Sequence, residues 1–141
     1  MIQSHEFFHQ YNQVSRNLSK KINERLADIG IFSSQWSIIY YLYHHGPCTL
    51  VEISNYLNVE APTVTRTVNR LESLQWIRKT EGKDRREKRI ELTDIAMDNY
   101  PSLIEKVGQF ESDVMEGISE DEKVIAFQVL RKMMTNMDYQ R

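Results

Sequence analysis

A chain of 141 residues can bury one real hydrophobic core but not two large ones, so a single domain over 1–141 is expected. With 40% apolar and 27% charged residues, it has the composition of a globular protein, which excludes a disordered or fibrous chain. A formal net charge of -2 excludes a binder that grips phosphates with its whole surface, but leaves room for one that does so with a local basic patch.

The first residues, Met1 to Glu6, lack the basic and apolar regions of a signal peptide, and no apolar run reaches membrane-spanning length. A cytoplasmic protein without membrane contact is expected. Phe8, Tyr11, Leu18, Ile22 and Leu26 recur at helical steps with charged residues between them, which predicts an amphipathic helix over roughly 5–27. Gly30 suits the left-handed position that ends such a helix, and Ser34 is placed to cap the next. From Trp36 to Tyr43 nearly every face is apolar or aromatic, as in a core helix packed on several sides, and Gly46-Pro47 stops it. Cys48 is the single cysteine, so no intrachain disulfide is possible, and a buried small hydrophobe is expected there rather than a redox handle.

Thr49 and Glu52 have the spacing of a capping box and start a short helix over 50–57, with Leu50, Ile53 and Leu57 on one stripe and Asn58 suited to its left-handed end. After a tight turn, Pro62 stands in the first turn of a helix running to about Leu74. Val64, Val68 and Leu71 form its buried stripe. Steps of about 100° per residue put Pro62, Arg66, Asn69, Arg70 and Ser73 on the opposite face, with Thr63 beside them and Thr65 on the flank. Two short helices joined this way, the second displaying Thr, Arg and Asn, read as a helix-turn-helix.

From Trp76 the period changes to alternation, Ile77 and Lys79 against Arg78 and Thr80, then turn residues Glu81 to Asp84, then Arg89 to Leu92. This is a charged β-hairpin that leans on the helices through Trp76, Ile77, Ile90 and Leu92. Residues 60–92 carry nine Lys/Arg against six Asp/Glu, whereas 93–141 carry five against ten. A basic patch on an acidic remainder follows, and the remainder repels phosphates and turns the patch toward them. Beyond Thr93, Ala96, Tyr100, Leu103, Val107, Phe110 and Val114 form a heptad-like seam, with a kink expected at Pro101. Ser119 and Glu122 form a second capping box before Val124, Phe127, Leu130, Met134 and Met137.

In this order of elements, and in the stretches Leu50 to Leu57, Thr63 to Glu72, and Lys83-Asp84-Arg85-Arg86 followed by Ile90, Leu92 and Thr93, the chain resembles the MarR family of bacterial transcriptional regulators. The likeness implies a mainly α fold with a small β-hairpin wing: a winged helix-turn-helix over 34–93 and a helical dimerisation region over 5–30 and 94–138. One departure is Gln75, where the family usually carries Gly after the recognition helix. The likeness further implies a regulator that reads double-stranded DNA as a homodimer, with Pro62, Thr63, Thr65, Arg66, Asn69 and Arg70 in the major groove and Lys83, Asp84, Arg85, Arg86 and Lys88 on the wing. Arg86 matches the family's minor-groove arginine and Asp84 the acid that orients it.

Chemistry supports these roles independently. Arg binds guanine bidentately, Asn reads adenine, Thr meets the thymine methyl, and a guanidinium suits a narrow groove of high negative potential. Burying Phe8, Tyr11, Phe110, Phe127, Met134 and Met137 exceeds what one small winged-helix core can do, which gives a physical reason to dimerise. A two-fold pair would set its recognition helices about one DNA turn apart, ~34 Å, on a pseudo-palindromic site. Relatives of this kind are often repressors released from DNA by a small anionic aromatic effector. The histidine pairs His5/His9 and His44/His45 lack converging Asp or Cys, so neither a metal nor a cofactor is expected. An enzyme is not expected either, since no nucleophile motif or glycine-rich phosphate loop is present. The alternative is a winged-helix module whose basic surface binds an acidic protein and reads no DNA sequence.

Overall fold

The computed structural model describes residues 1–82 and 87–139. In chain order it holds α1 (Ser4–Leu26), α2 (Ser33–His45), β1 (Cys48–Thr49), α3 (Leu50–Leu57), α4 (Ala61–Ser73), β2 (Ile77–Glu81), β3 (Lys88–Leu92), α5 (Asp94–Val114) and α6 (Glu120–Tyr139). Two compact units divide the chain, Met1–Gly108 and the residues from Gln109 onward.

In the first unit, α1 buries only Ile22 and Leu26, while Phe8, Tyr11 and Leu18 of the same stripe are exposed. Gly30, at φ 82°, ends the helix with its neighbour: the Gly30 and Ile31 amides donate back to the Ala27 and Leu26 carbonyls. The cap of α2 is Phe32, not Ser34, which lies inside the helix. Gln35 explains the shift, because its buried Oε1 accepts from the Phe32 amide at 3.0 Å while the Ser33 amide donates to Asn23 Oδ1 of α1 at 2.7 Å.

Helix α2 packs against α1, α3, α4 and β3, as a core helix packed on several sides should, but not all of its aromatic side chains are enclosed. Ile38, Ile39 and Leu42 are buried, but Tyr40 and Tyr43 are exposed. Its aromatic residues stack on one another and on Tyr100 of α5: Trp36 to Tyr100 at 6.1 Å between centroids, Trp36 to Tyr40 at 5.6 Å, and Tyr43 face to face with Tyr100 at 3.6 Å. Rings satisfy one another through such contacts without leaving the surface, so aromatic density overstated burial here. The core gathers instead around Leu26, Ile31, Ile38, Ile39, Ile53, Val64, Val68, Leu71, Ile77, Ile90 and Leu103, each of them 2% exposed or less.

The hairpin pairs in the register Ile77↔Leu92, Lys79↔Ile90 and Glu81↔Lys88. A third strand, unforeseen in the sequence, joins it: β1 pairs Cys48 with Ile90 and Thr49 with Arg89, giving the sheet order β1-β3-β2. Two residues carry no period, so only the fold reveals them as a strand. Helix α5 continues through Pro101, whose missing amide would have served the carbonyl of Met97, a residue exposed to water. Its Ala96, Tyr100, Leu103 and Val107 are buried as the seam requires. Lys106 of α5 pairs with Asp28 beyond α1, and that bond holds the Asp28 carboxyl below its ordinary range.

In the second unit the Ser119/Glu122 box forms as expected. The Glu122 amide donates to Ser119 Oγ at 3.2 Å, and the Ser119 amide to Glu122 Oε1 at 3.0 Å. These bonds lower the Glu122 carboxyl pKa. Val114 is exposed, unlike the rest of its seam, and so are Val124, Phe127, Leu130, Met134 and Met137 on α6.

Candidate nucleic-acid interface

Local chemistry builds the two helices and the turn between them. At the start of α3 the Glu52 amide donates to Thr49 Oγ1 at 3.2 Å, and the Thr49 amide reaches Glu52 Oε2 at 3.4 Å. At its end Asn58 takes the left-handed conformation, φ 53°. Pro62 then occupies the first turn of α4, where its missing amide costs nothing. Helix α4 closes with Gln75 at φ 63°, its amide donating to the Glu72 carbonyl at 2.9 Å and that of Trp76 to Leu71 at 3.0 Å. Glycine would take this position without penalty, and Gln pays about 1 kcal/mol of strain. Thr93 secures the bend, its hydroxyl donating to the Gln75 carbonyl at 2.5 Å and its amide to that of Trp76 at 3.0 Å.

Val64, Val68 and Leu71 face the core, leaving Pro62, Thr63, Arg66, Asn69 and Arg70 exposed on α4 and Thr65 half-buried. Arg66 lies midway across the exposed face, and its Nη2 donates to Thr63 Oγ1 at 3.2 Å. On one flank the Arg70 guanidinium sits 5.2 Å from the centre of the Phe32 ring, before α2. On the other flank Lys79 of β2 reaches across, its Nζ donating to Asn69 Oδ1 at 2.8 Å and lying 3.7 Å from Glu72. The exposed side of α4 and the first wing strand therefore adjoin.

Not every cation in the basic block faces outward unpaired. Arg78 donates to Glu91 Oε1 across the hairpin at 2.7 Å, and that bond raises its pKa further. Arg89 is half-buried opposite Thr49 and Thr80, whereas Lys88 is exposed. The wing residues Lys83, Asp84, Arg85 and Arg86 lie outside the described residues. Sequence reading missed the Lys79–Asn69 contact. The signal was available: Lys79 stands two residues after the buried Ile77, so both project from the same face of β2, toward the helices.

In the edge strand β1 Cys48 is buried, and its thiol pKa is pushed up to about 11, first by burial and then by Glu52, with Arg89 opposing. At that value the thiol keeps its proton at neutral pH and is a poor nucleophile. Among the described residues no group of three or more His, Cys, Asp and Glu gathers as for a metal ion, and no helix is long and apolar enough to cross a membrane.

Against known proteins, the model of the MarR family matches residues 31–88. A curated relative, the uncharacterized HTH-type transcriptional regulator YwoH of Bacillus subtilis (strain 168), is 45% identical over 115 residues, covering 82% of this chain and 84% of that protein. Among solved structures, the transcriptional regulator PA3341 aligns with a TM-score of 0.84 and 28% identity, over 94% of this chain and 98% of that one. A mutant MarR from E. coli complexed with operator DNA shares the fold, with a TM-score of 0.82 at 22% identity over 89% of this chain and 91% of that one.

Proposed function

The chain belongs to the MarR family of winged helix-turn-helix transcriptional regulators, and from that premise we propose that it binds a pseudo-palindromic operator as a homodimer, represses transcription there, and is released by a small ligand. The observation that carries this reading is the polar face of α4 beside the first wing strand: Arg66 at its centre, Asn69 and Arg70 on its flanks, Val64, Val68 and Leu71 sealed behind it. A solvated helix would expose polar residues too, but it would not need a basic strand anchored against them.

In this reading Thr63, Thr65, Arg66, Asn69 and Arg70, with Pro62 at the helix entry, meet base edges and phosphates in the major groove. Lys83, Arg85 and Lys88 neutralise phosphates, and Arg86, oriented by Asp84, enters the minor groove. The E. coli MarR solved with operator DNA carries the same fold on its duplex, which supports the docking. Exposed apolar residues along α1 and α6 support a homodimer. The half-exposed rings of Trp36, Tyr40 and Tyr43 against Tyr100 supply stacking surfaces of the kind that suits a small anionic aromatic effector. A regulator acting on DNA works in the cytoplasm.

In vitro selection from a random duplex pool tests the reading. A two-fold related consensus is expected at moderate salt. Arg66→Ala should change the preferred bases at the position it reads, whereas Arg86→Ala should weaken binding to all duplexes and lower the salt slope by about one. If no sequence is enriched, the basic surface serves an acidic protein partner instead. Repression is tested by a reporter carrying the selected site across its promoter, and release by screening aromatic carboxylates against the complex.

A further inference from the structure

We propose that Lys79 is a positioning residue for base readout: from strand β2 it holds the carboxamide of Asn69 in one orientation on α4, so that a wing side chain sets the base preference at one operator position. This rests on the DNA-binding reading above and goes beyond it by naming what fixes one element of specificity.

An ammonium carries three donors and no acceptor, so the Asn69 atom 2.8 Å from Lys79 Nζ is the carbonyl oxygen, and the Nδ2 amino group points elsewhere. Left alone, an exposed asparagine turns about a broad terminal torsion and offers either edge to a base. Three features restrain this one. Glu72, one turn along the same side of α4, lies 3.7 Å from the same ammonium and keeps it over the helix. Lys79 is rooted in the ladder opposite Ile90, which is buried. Ile77, two residues earlier on the same strand face, is buried as well. Neither Thr65 nor Arg66 has a comparable tether to the wing among the described residues.

A carboxamide held by its oxygen presents donors. In the major groove those donors suit guanine O6 and N7, adenine N7 and thymine O4, whereas cytosine shows only its N4 amino donor. Cytosine is therefore disfavoured where Asn69 points, by about tenfold, within the range one directional base contact supplies. The charge of Lys79 is engaged with Glu72, so its main effect is on this preference and not on general phosphate affinity.

The test uses selection from a random duplex pool with the full-length wild type and with Asn69→Ala, Lys79→Met and the double variant, each checked for an unchanged melting transition. Asn69→Ala marks the base position. Lys79→Met should admit cytosine there, and the double variant should be no less selective than Asn69→Ala alone. In the DNA-free protein, Lys79→Met should also shift the Asn69 side-chain amide resonances. The proposal is overturned if Lys79→Met keeps the wild-type preference and only weakens all duplexes with a smaller salt slope, which is the signature of a phosphate contact, or if the amide resonances do not move. Failure of the wild type to enrich any sequence would instead remove the DNA-binding premise, a result separate from both.

Discussion

Single residues carry the sharpest chemistry in this protein, and Cys48 is the most exposed to test. Because burial raises its thiol pKa to about 11 from an ordinary 9.0, the unfolded chain loses this proton at lower pH than the folded one. The thiol's contribution to stability is then complete below pH 9 and is lost as pH rises from 9 to about 11. Tyr41 and Tyr100, whose phenols burial also raises, add to the fall with the same sign. Urea midpoints measured from pH 8 to 11 should drop for the wild type and drop less steeply for Cys48→Ala, while iodoacetamide at pH 7.5 should label the native protein slowly. Rapid labelling, or parallel pH profiles, would mean that the thiol is open to solvent. The burial of Cys48 could be read from residue type, whereas Gln75 stood out only because the family usually carries Gly at that position. The Phe32 cap could not, since it depends on a glutamine carbonyl turning back on the chain.

At the scale of elements, short-range chemistry decides boundaries where it is specific and fails where it is generic. Helix α3 starts where the Thr49/Glu52 pair says, because the box satisfies two backbone amides with no other partner. Thr49→Ala should therefore cost about 1 kcal/mol. The check is a urea titration, with a lower midpoint at unchanged slope; an unchanged midpoint would show that tertiary packing alone fixes this helix start. The polar stripe of α4 was equally legible, since a helix of period 3.6 with three buried aliphatic residues leaves only one face for its polar residues. The exposure of Tyr40 and Tyr43 on α2 was not, because ring stacking, as of Tyr43 on Tyr100, substitutes for burial. Strand β1 was not either: pairing with β3 creates it, and two residues have no pattern of their own.

For the whole molecule, the exposed faces of α1 and α6 have the largest consequence. Phe8 is 51% exposed, Phe127 59% and Met134 56%, large apolar side chains that a partner surface would remove from water. Pairing with a second copy would cover them and would link two half-site contacts into one binding event. Replacing Phe127 and Leu130 together by Glu should give a monomer in sedimentation experiments while circular dichroism stays helical, and affinity for the selected duplex should fall by more than about tenfold. Double variants that sediment like the parent would place the subunit contact elsewhere.

Periodicity, capping pairs and the clustering of nine basic residues between positions 60 and 92 determined the helix-turn-helix, the hairpin and the exposed polar face of α4, because each depends on groups within a few residues of one another. What the tertiary structure decided was how the described cations among them are partnered. Arg78 is tied to Glu91 across the hairpin, Arg70 rests on Phe32, and Lys79 lies against Asn69 and Glu72. Such pairings join residues from different elements, and a side chain's partner is set by where the fold brings its neighbours, not by its own position in the chain.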